Sequence, residues 1–217
     1  MKLKQNKYFL DQKLKLTNMK KTFSLLGIDD CRSVPIVGSV FVVGILIPLD
    51  KIELLKKIIG KNTKRQSKRW INYTAIQLME KFEFHVIGIT TKQSLEYDLC
   101  DLEAKAFYDI WWHFDNLDKT IVFANNFDDS REMFLKRLGK IDLAIKEDNW
   151  IITHDCDKKH LPGLAASIIA KYHRWENLKV LSEVKQFSGS SFANIPNNNG
   201  EAMDLGGIGW AAIPPKF

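Results

Sequence analysis

The chain has 217 residues, a length that fits one domain with at most an appendage. Hydrophobic residues make up 45% and charged residues 27%, which is a globular composition and excludes a chain that is disordered throughout. The longest uncharged run, residues 33–49, is shorter than the ~20 residues of a membrane-spanning helix, so we expect no membrane partner. Three widely spaced cysteines argue against a disulfide framework and favour a reducing, cytoplasmic location.

The formal net charge of +6 is concentrated at the N-terminus. Residues 1–22 hold seven Lys and one acid, so they carry the whole excess, and the remainder is neutral overall. The composition then changes again, because residues 188–217 are dominated by Gly, Asn, Ser and Pro. We therefore expect a basic N-terminal arm (1–22), a folded domain (23–187) and a tail (188–217). The arm is either a solvated segment or a recruiter of polyanions.

Hydrophobic periodicity predicts strands and helices in alternation along the domain. The predicted strands are 23–29, 36–48, 82–90, 119–124 and 150–153, and the predicted helices are 51–59, 70–81, 95–114, 130–138 and 162–184. Ser94 is the expected N-cap of the third helix, and Gly139 is expected to end the fourth. The first three strands can pair as an antiparallel meander, and the later ones join through helices. This order predicts an α/β protein with a mixed five-stranded sheet flanked by helices.

Two motifs stand out from this background. The first, Gly27-Ile-Asp-Asp-Cys-Arg-Ser-Val-Pro-Ile-Val-Gly-Ser-Val40, places two acids at the end of an apolar strand. It resembles the opening of the ribonuclease HII family (type 2 ribonuclease H), G-[IV]-D-E-A-G-R-G-P-x-x-G-P-[VL]. The second, Leu164-Ala-Ala-Ser-Ile-Ile-Ala-Lys-Tyr-His-Arg-Trp-Glu176, is similar to the family's A-A-S-I-[LIV]-A-K-V-x-R-D helix.

Weaker similarities to the same family occur in the same order, and the resemblance covers residues 23–192. They are Lys61-Asn-Thr-Lys-Arg65 (K-D-S-K-K), Leu99–Ala106 (L-N-x-L-E-A-x-A), Asp157-Lys158 ten residues before Ser167 (D-[AS]-K), and Phe187–Phe192 (G-S-G-Y). The resemblance implies a ribonuclease H-like fold. It also implies hydrolysis of RNA in RNA–DNA hybrids, with four carboxylates holding a pair of Mg²⁺ or Mn²⁺ ions.

Only two of the four implied acids match. Asp29 keeps the first, and Asp30 takes the place of a Glu, so these two residues are the expected catalytic and metal-binding residues. An ungapped match puts Ala124 at the third position, and Trp175 at the fourth with Glu176 one step late. The residues that could compensate are Asn125, Asn126, Asp128 and Glu176.

Contacts to nucleic acid are implied partly by the resemblance and partly by clusters of positive charge. Arg32-Ser33-Val34 stands in place of the family's G-R-G, and Phe192 replaces its Tyr while keeping an aromatic ring. The expected nucleic-acid-binding residues are Arg32, Lys64, Arg69, Lys171, Arg174 and Phe192.

Three functions remain open from the sequence. The first is a divergent member of the family that binds RNA–DNA hybrid or a related duplex with weak or lost catalysis. The second is an active Mg²⁺- or Mn²⁺-dependent endonuclease with a rearranged site. The third is a structural subunit whose helices bind a protein partner. A zinc site at His154-Asp155-Cys156 with His160 matches no strong spacing pattern.

Overall fold

A computed structural model describes residues 23–31, 38–60, 67–114, 119–141 and 149–187, with the backbone alone for 184–187. The arm, the tail, Arg32, Lys64 and Phe192 lie outside the described residues, so the expectations for them stay predictions.

Five strands and seven helices make up the described part of the chain. The strands are β1 (Ser24–Cys31), β2 (Val40–Pro48), β3 (Glu83–Ile89), β4 (Thr120–Asn125) and β5 (Trp150–Thr153). The helices are α1 (Ile52–Ile59), α2 (Lys68–Lys81), α3 (Thr91–Glu96), α4 (Leu99–His113), α5 (Arg131–Ile141), α6 (Cys156–Lys159) and α7 (Leu161–Phe187). A short 3₁₀ turn, Leu49–Lys51, leads from β2 into α1.

The five strands form one mixed sheet in the order β3-β2-β1-β4-β5. The β1–β2 and β2–β3 pairs are antiparallel, and the β1–β4 and β4–β5 pairs are parallel. The predicted meander and crossovers are therefore confirmed. Since β1, β4 and β5 run in the same direction, their carboxyl ends meet at one edge of the sheet.

Side chains alternate between two cores, one on each face of the sheet. Leu26 and Ile28 of β1 join a core that α4 and α5 cover. The opposite face packs against α1, α2 and the first half of α7. Asp29, the next residue after Ile28, turns toward the α7 side because alternate strand residues face opposite ways.

α7 approaches β1 unusually closely. A Cβ atom placed on Gly27 would lie 2.0 Å from the carbonyl oxygen of Pro162. Ala165 and Ala166, one turn further along α7, are completely buried. The absence of a side chain at Gly27 and the small side chains of α7 thus fix the distance between the helix and the end of β1 that carries Asp29.

The predicted helix 95–114 is in fact two helices. Thr90 begins α3 with a capping box in which its hydroxyl accepts from the Gln93 N–H. Asp98 begins α4, its carboxylate accepting from the Asp101 N–H at 2.9 Å. Ser94, the predicted N-cap, instead donates its hydroxyl to the carbonyl oxygen of Thr91 at 3.0 Å, inside α3.

Gly139 does not end α5, which continues to Ile141. Among the described residues, no helix combines the length and the apolar character that crossing a bilayer requires.

Candidate functional site

A pocket of about 280 Å³ opens at the edge where β1, β4 and β5 end. It is where the fold brings together acids from separate parts of the sequence. The residues that line it and carry the argument below are Asp29, Asp30, Asn125, Asp157, Ser167 and Lys171. Asp29 and Asp30, the two predicted catalytic residues, are thus both in this acidic pocket.

Asp29 is the most deeply buried acid of the pocket, with 2% of its surface exposed. Its carboxylate accepts from the Asp30 N–H at 2.9 Å and from the Ser167 hydroxyl. Burial, followed by repulsion from Asp30 and Asp157, raises its pKa well above the ordinary value despite these two hydrogen bonds. The surroundings of Asp29 therefore disfavour its charged form.

Asp157 reaches the pocket through a sharp turn at the end of β5. Asp155 adopts a left-handed conformation, with φ of 56°, between β5 and α6. Asp is among the few residues with a side chain that tolerate this region. The turn places Asp157, in the first turn of α6, on the pocket wall, and its Oδ2 atom lies 3.7 Å from Nζ of Lys171.

The structure corrects the third acidic position. Ala124 pairs with Ile28 across the β1–β4 ladder, and both residues belong to the core on the α4 side of the sheet. Asn125, one residue later, lines the pocket with Asp29. Because a shift of one residue moves a strand side chain to the other face, the residue that stands opposite Asp29 on β4 is Asn125. The third position carries an amide, not a methyl group.

The fourth position is also corrected. Trp175 packs into the core under α2, and Lys68 Nζ lies 5.7 Å from the centroid of its ring. Glu176 lies near Tyr172 and is not part of the pocket wall. The acid that accompanies Asp29 is Asp157. The sequence did carry a signal for it, namely its spacing of ten residues before Ser167.

Asn126 and His154 form a rigid wall beside these acids. The Asn126 amide oxygen accepts from the Asp128 N–H at 3.1 Å, which turns its nitrogen toward His154 Nε2 at 3.2 Å. The His154 Nδ1 atom lies 3.1 Å from the Asn126 carbonyl oxygen. The amide orientation of Asn126 fits an imidazole whose Nδ1 donates and whose Nε2 accepts. Sequence reasoning did not single out this hydrogen-bonded pair.

The geometry of residues 154–160 does not support a zinc site. The Cys156 thiol is buried against Gly163, and burial raises its pKa to about 12. Asp155 pairs with Lys158 at 2.8 Å, and His160 packs against the Phe123 ring. These side chains point to different neighbours and not to one centre.

The acids of the pocket do suit a hard divalent cation. Among the described residues, no three His, Cys, Asp or Glu side chains already stand close enough to bind one ion. Asp29, Asp30 and Asp157 nevertheless supply carboxylate oxygens, the ligands that Mg²⁺ and Mn²⁺ prefer, around one pocket. Asp30 and Asp157 would have to rotate toward Asp29, and a cation would offset the burial and the repulsion that raise the pKa of Asp29.

Three predicted nucleic-acid-binding residues lie in the described part of the chain. Arg69 is exposed on the first turn of α2, and Lys171 lines the pocket. The contact between Lys68 and Trp175 puts the start of α2 beside the turn of α7 that follows Lys171. Arg174 is 8% exposed, and its Nη1 atom donates to the Ser39 carbonyl oxygen at 3.4 Å.

Comparisons with known proteins bear on the same region. The family model for ribonuclease HII matches residues 26–195, which include all of the described pocket. No curated protein sequence is similar to the chain.

Several solved structures share the fold. Ribonuclease H2 from Pyrococcus horikoshii OT3 matches with a TM-score of 0.65 and 22% identity, over 80% of this chain and 82% of that one. RNase HII from Archaeoglobus fulgidus, in a complex with PCNA, matches with a TM-score of 0.64 and 21% identity, over 80% and 84%. Bst-RNase HIII in complex with Mn²⁺ matches with a TM-score of 0.64 and 18% identity, over 75% of this chain and 55% of that one. The chain thus spans about half the length of that ribonuclease HIII.

Proposed function

Because the chain belongs to the ribonuclease HII family, we propose that it binds RNA–DNA hybrid duplexes and cleaves their RNA strand slowly. Cleavage would require Mg²⁺ or Mn²⁺ in the acidic pocket. The observation that carries this proposal is the meeting of Asp29, Asp30 and Asp157 in one pocket with Lys171 beside them. Three carboxylates in one pocket favour a working cation site more than the two acids that the sequence match had retained.

Each pocket residue has a distinct task in this proposal. Asp29, Asp30 and Asp157 would hold the cation, which when bound activates water and offsets charge at the scissile phosphate. Ser167 and the Asp30 N–H keep the Asp29 carboxylate oriented. Lys171 supplies positive charge to a phosphate at the pocket mouth.

Duplex binding would extend from the pocket onto α2. Arg69, which follows Lys68 in the first turn of α2, is exposed and would contact the backbone of a duplex whose scissile phosphate lies near Lys171. The seven Lys of residues 1–22 would add non-specific affinity through counterion release. Both contributions depend on charge, so affinity should fall steeply as salt is added.

Two features make slow hydrolysis the expected outcome. Asp30 is one methylene shorter than the Glu that the resemblance places there, so its carboxylate reaches less far into the pocket. Asn125 is neutral, which lowers the negative charge available to a cation. Both features leave the buried Asp29 in place, so we expect slow hydrolysis and not its complete loss.

The direct test is incubation of the full chain with a labelled RNA–DNA hybrid and Mn²⁺ or Mg²⁺, compared with Asp29→Asn. We expect hybrid binding that weakens roughly tenfold or more between about 50 and 200 mM salt. We also expect slow metal-dependent cleavage that falls at least about 100-fold in the variant. Asp109→Asn is the matched control, because Asp109 is an exposed acid paired with Lys105 on α4, outside the pocket.

Two results would count against the proposal. Hybrid binding that does not respond to salt, or no binding, would exclude a phosphate-reading role. Salt-dependent binding without cleavage in either metal would leave the binding function and remove the hydrolytic one.

A further inference from the structure

We propose that the acidic pocket takes up one divalent cation and not a pair, because Asn125 supplies an amide in place of a further carboxylate and Lys171 offsets part of the remaining negative charge. This inference rests on the proposed metal site and specifies its stoichiometry. The side chains that line the pocket determine how much room and how much negative charge remain for a cation.

The amide of Asn125 is held in one orientation. Its Oδ1 atom accepts from the Cys156 N–H at 3.3 Å, and a backbone N–H can donate only to the oxygen end of an amide. The oxygen, which is the only cation ligand that Asn125 has, is therefore directed at α6. The other end of the amide carries two N–H donors, which repel a cation.

Lys171 already brings a positive charge to the pocket. Its Nζ atom lies 3.7 Å from Oδ2 of Asp157, and both side chains line the pocket. Asp157 is about three-quarters buried, so this ion pair is less screened by solvent than a surface pair. Lys171 therefore already offsets part of the charge that Asp157 would offer a second ion.

The charge of the pocket matches a single divalent ion. Once deprotonated by cation binding, Asp29, Asp30 and Asp157 together bring three negative charges, and Lys171 returns one positive charge. Asp155, also on the rim, is paired with Lys158 at 2.8 Å. One divalent ion neutralises the remaining charge, whereas two would leave a net positive pocket that is partly shielded from water.

Isothermal titration of the metal-free chain with Mn²⁺, without nucleic acid, tests the inference independently of cleavage. We expect one ion per wild-type chain. The double variant Asn125→Asp with Lys171→Gln should bind two, since the Asp keeps an acceptor for the Cys156 N–H. Asn125→Asp alone should bind the first ion about tenfold more tightly. The matched control, Gln77→Glu with Lys92→Gln, makes the same change of charge outside the pocket and should still bind one ion.

The possible outcomes separate the two proposals. Two ions per wild-type chain would overturn this inference while leaving the metal site intact. No Mn²⁺ uptake would overturn the inference together with the metal site on which it rests. One ion in the wild type and still one in the double variant, with both proteins folded by circular dichroism, would show that Asn125 and Lys171 do not set the number.

Discussion

In metal-free buffer at pH 7, the Asp29→Asn variant should unfold at a temperature at least about 2 °C higher than the wild-type chain, a shift that ~1 kcal/mol produces in a protein of this size. Burial and the nearby Asp30 and Asp157 disfavour the charged form of Asp29. An amide of the same shape removes that cost and can still accept from the Asp30 N–H and bond to Ser167. The variant thus loses a ligand of the cation site and gains stability.

The pH dependence of stability identifies the cause. The pKa of Asp29 is higher in the folded chain than in the unfolded chain, so above the unfolded value the unfolded state binds fewer protons. The contribution of protonated Asp29 to wild-type stability is complete at pH values below the pKa of the unfolded chain. It is lost as the pH rises to the pKa of the folded chain. The difference between variant and wild type should therefore disappear on acidification below about pH 4, the ordinary pKa of Asp.

Mn²⁺ should reverse the order of the two melting temperatures. A ligand that binds only the folded state stabilises it in proportion to the logarithm of its concentration, so added Mn²⁺ should raise the melting temperature of the wild type but not of Asp29→Asn. Thermal melts from about pH 3 to pH 8, with EDTA or Mn²⁺, make the measurement. A variant less stable than the wild type at pH 7 in EDTA, with an unchanged pH profile, would exclude the burial and repulsion of a charged Asp29 as the cause.

The second large effect is expected at Gly27. Replacement by Ala should lower the free energy of unfolding by about 3 kcal/mol or more, at the upper end of the cost of overpacking. The new Cβ would lie 2.0 Å from the Pro162 carbonyl oxygen and 2.3 Å from its carbon, and both atoms belong to backbone that cannot rotate away. β1 and α7 must separate, which also moves Asp29 away from Ser167.

Urea unfolding of Gly27→Ala and a matched control measures this effect. Gly139→Ala, in the body of α5, has open space around the new Cβ and should stabilise the chain by roughly 0.5–1 kcal/mol through helix propensity. A Gly27→Ala variant within about 0.5 kcal/mol of the wild type would mean that the α7 contact does not fix the position of β1.

The sheet could be predicted from the sequence because its strands are strongly periodic and its connections leave few topologies. The α3–α4 boundary could not, because the leucines at 95, 99 and 102 continue one helical stripe across it. In the structure Leu95 is 73% exposed and so is not part of the core stripe. Asp98, a strong N-cap residue, was the local signal that outweighed the periodicity.

The site was predicted where local sequence determines it and missed where tertiary structure does. Asp29 and Asp30 end a strand and could be identified from the motif alone. Placing the third position at Ala124 was an error of one residue, which in a strand is an error of face. Asp157 joins them only because β1, β4 and β5 are parallel and because Asp155 turns the chain back toward the pocket.

The most direct test of the cation site is a crystal structure of the chain saturated with Mn²⁺, with the metal located by its anomalous scattering. We expect an Mn²⁺ ion about 2.1–2.4 Å from a carboxylate oxygen of Asp29 and from an oxygen of Asp30 or Asp157. A map in which every Mn²⁺ ion lies beyond ligand distance of Asp29 would contradict the account.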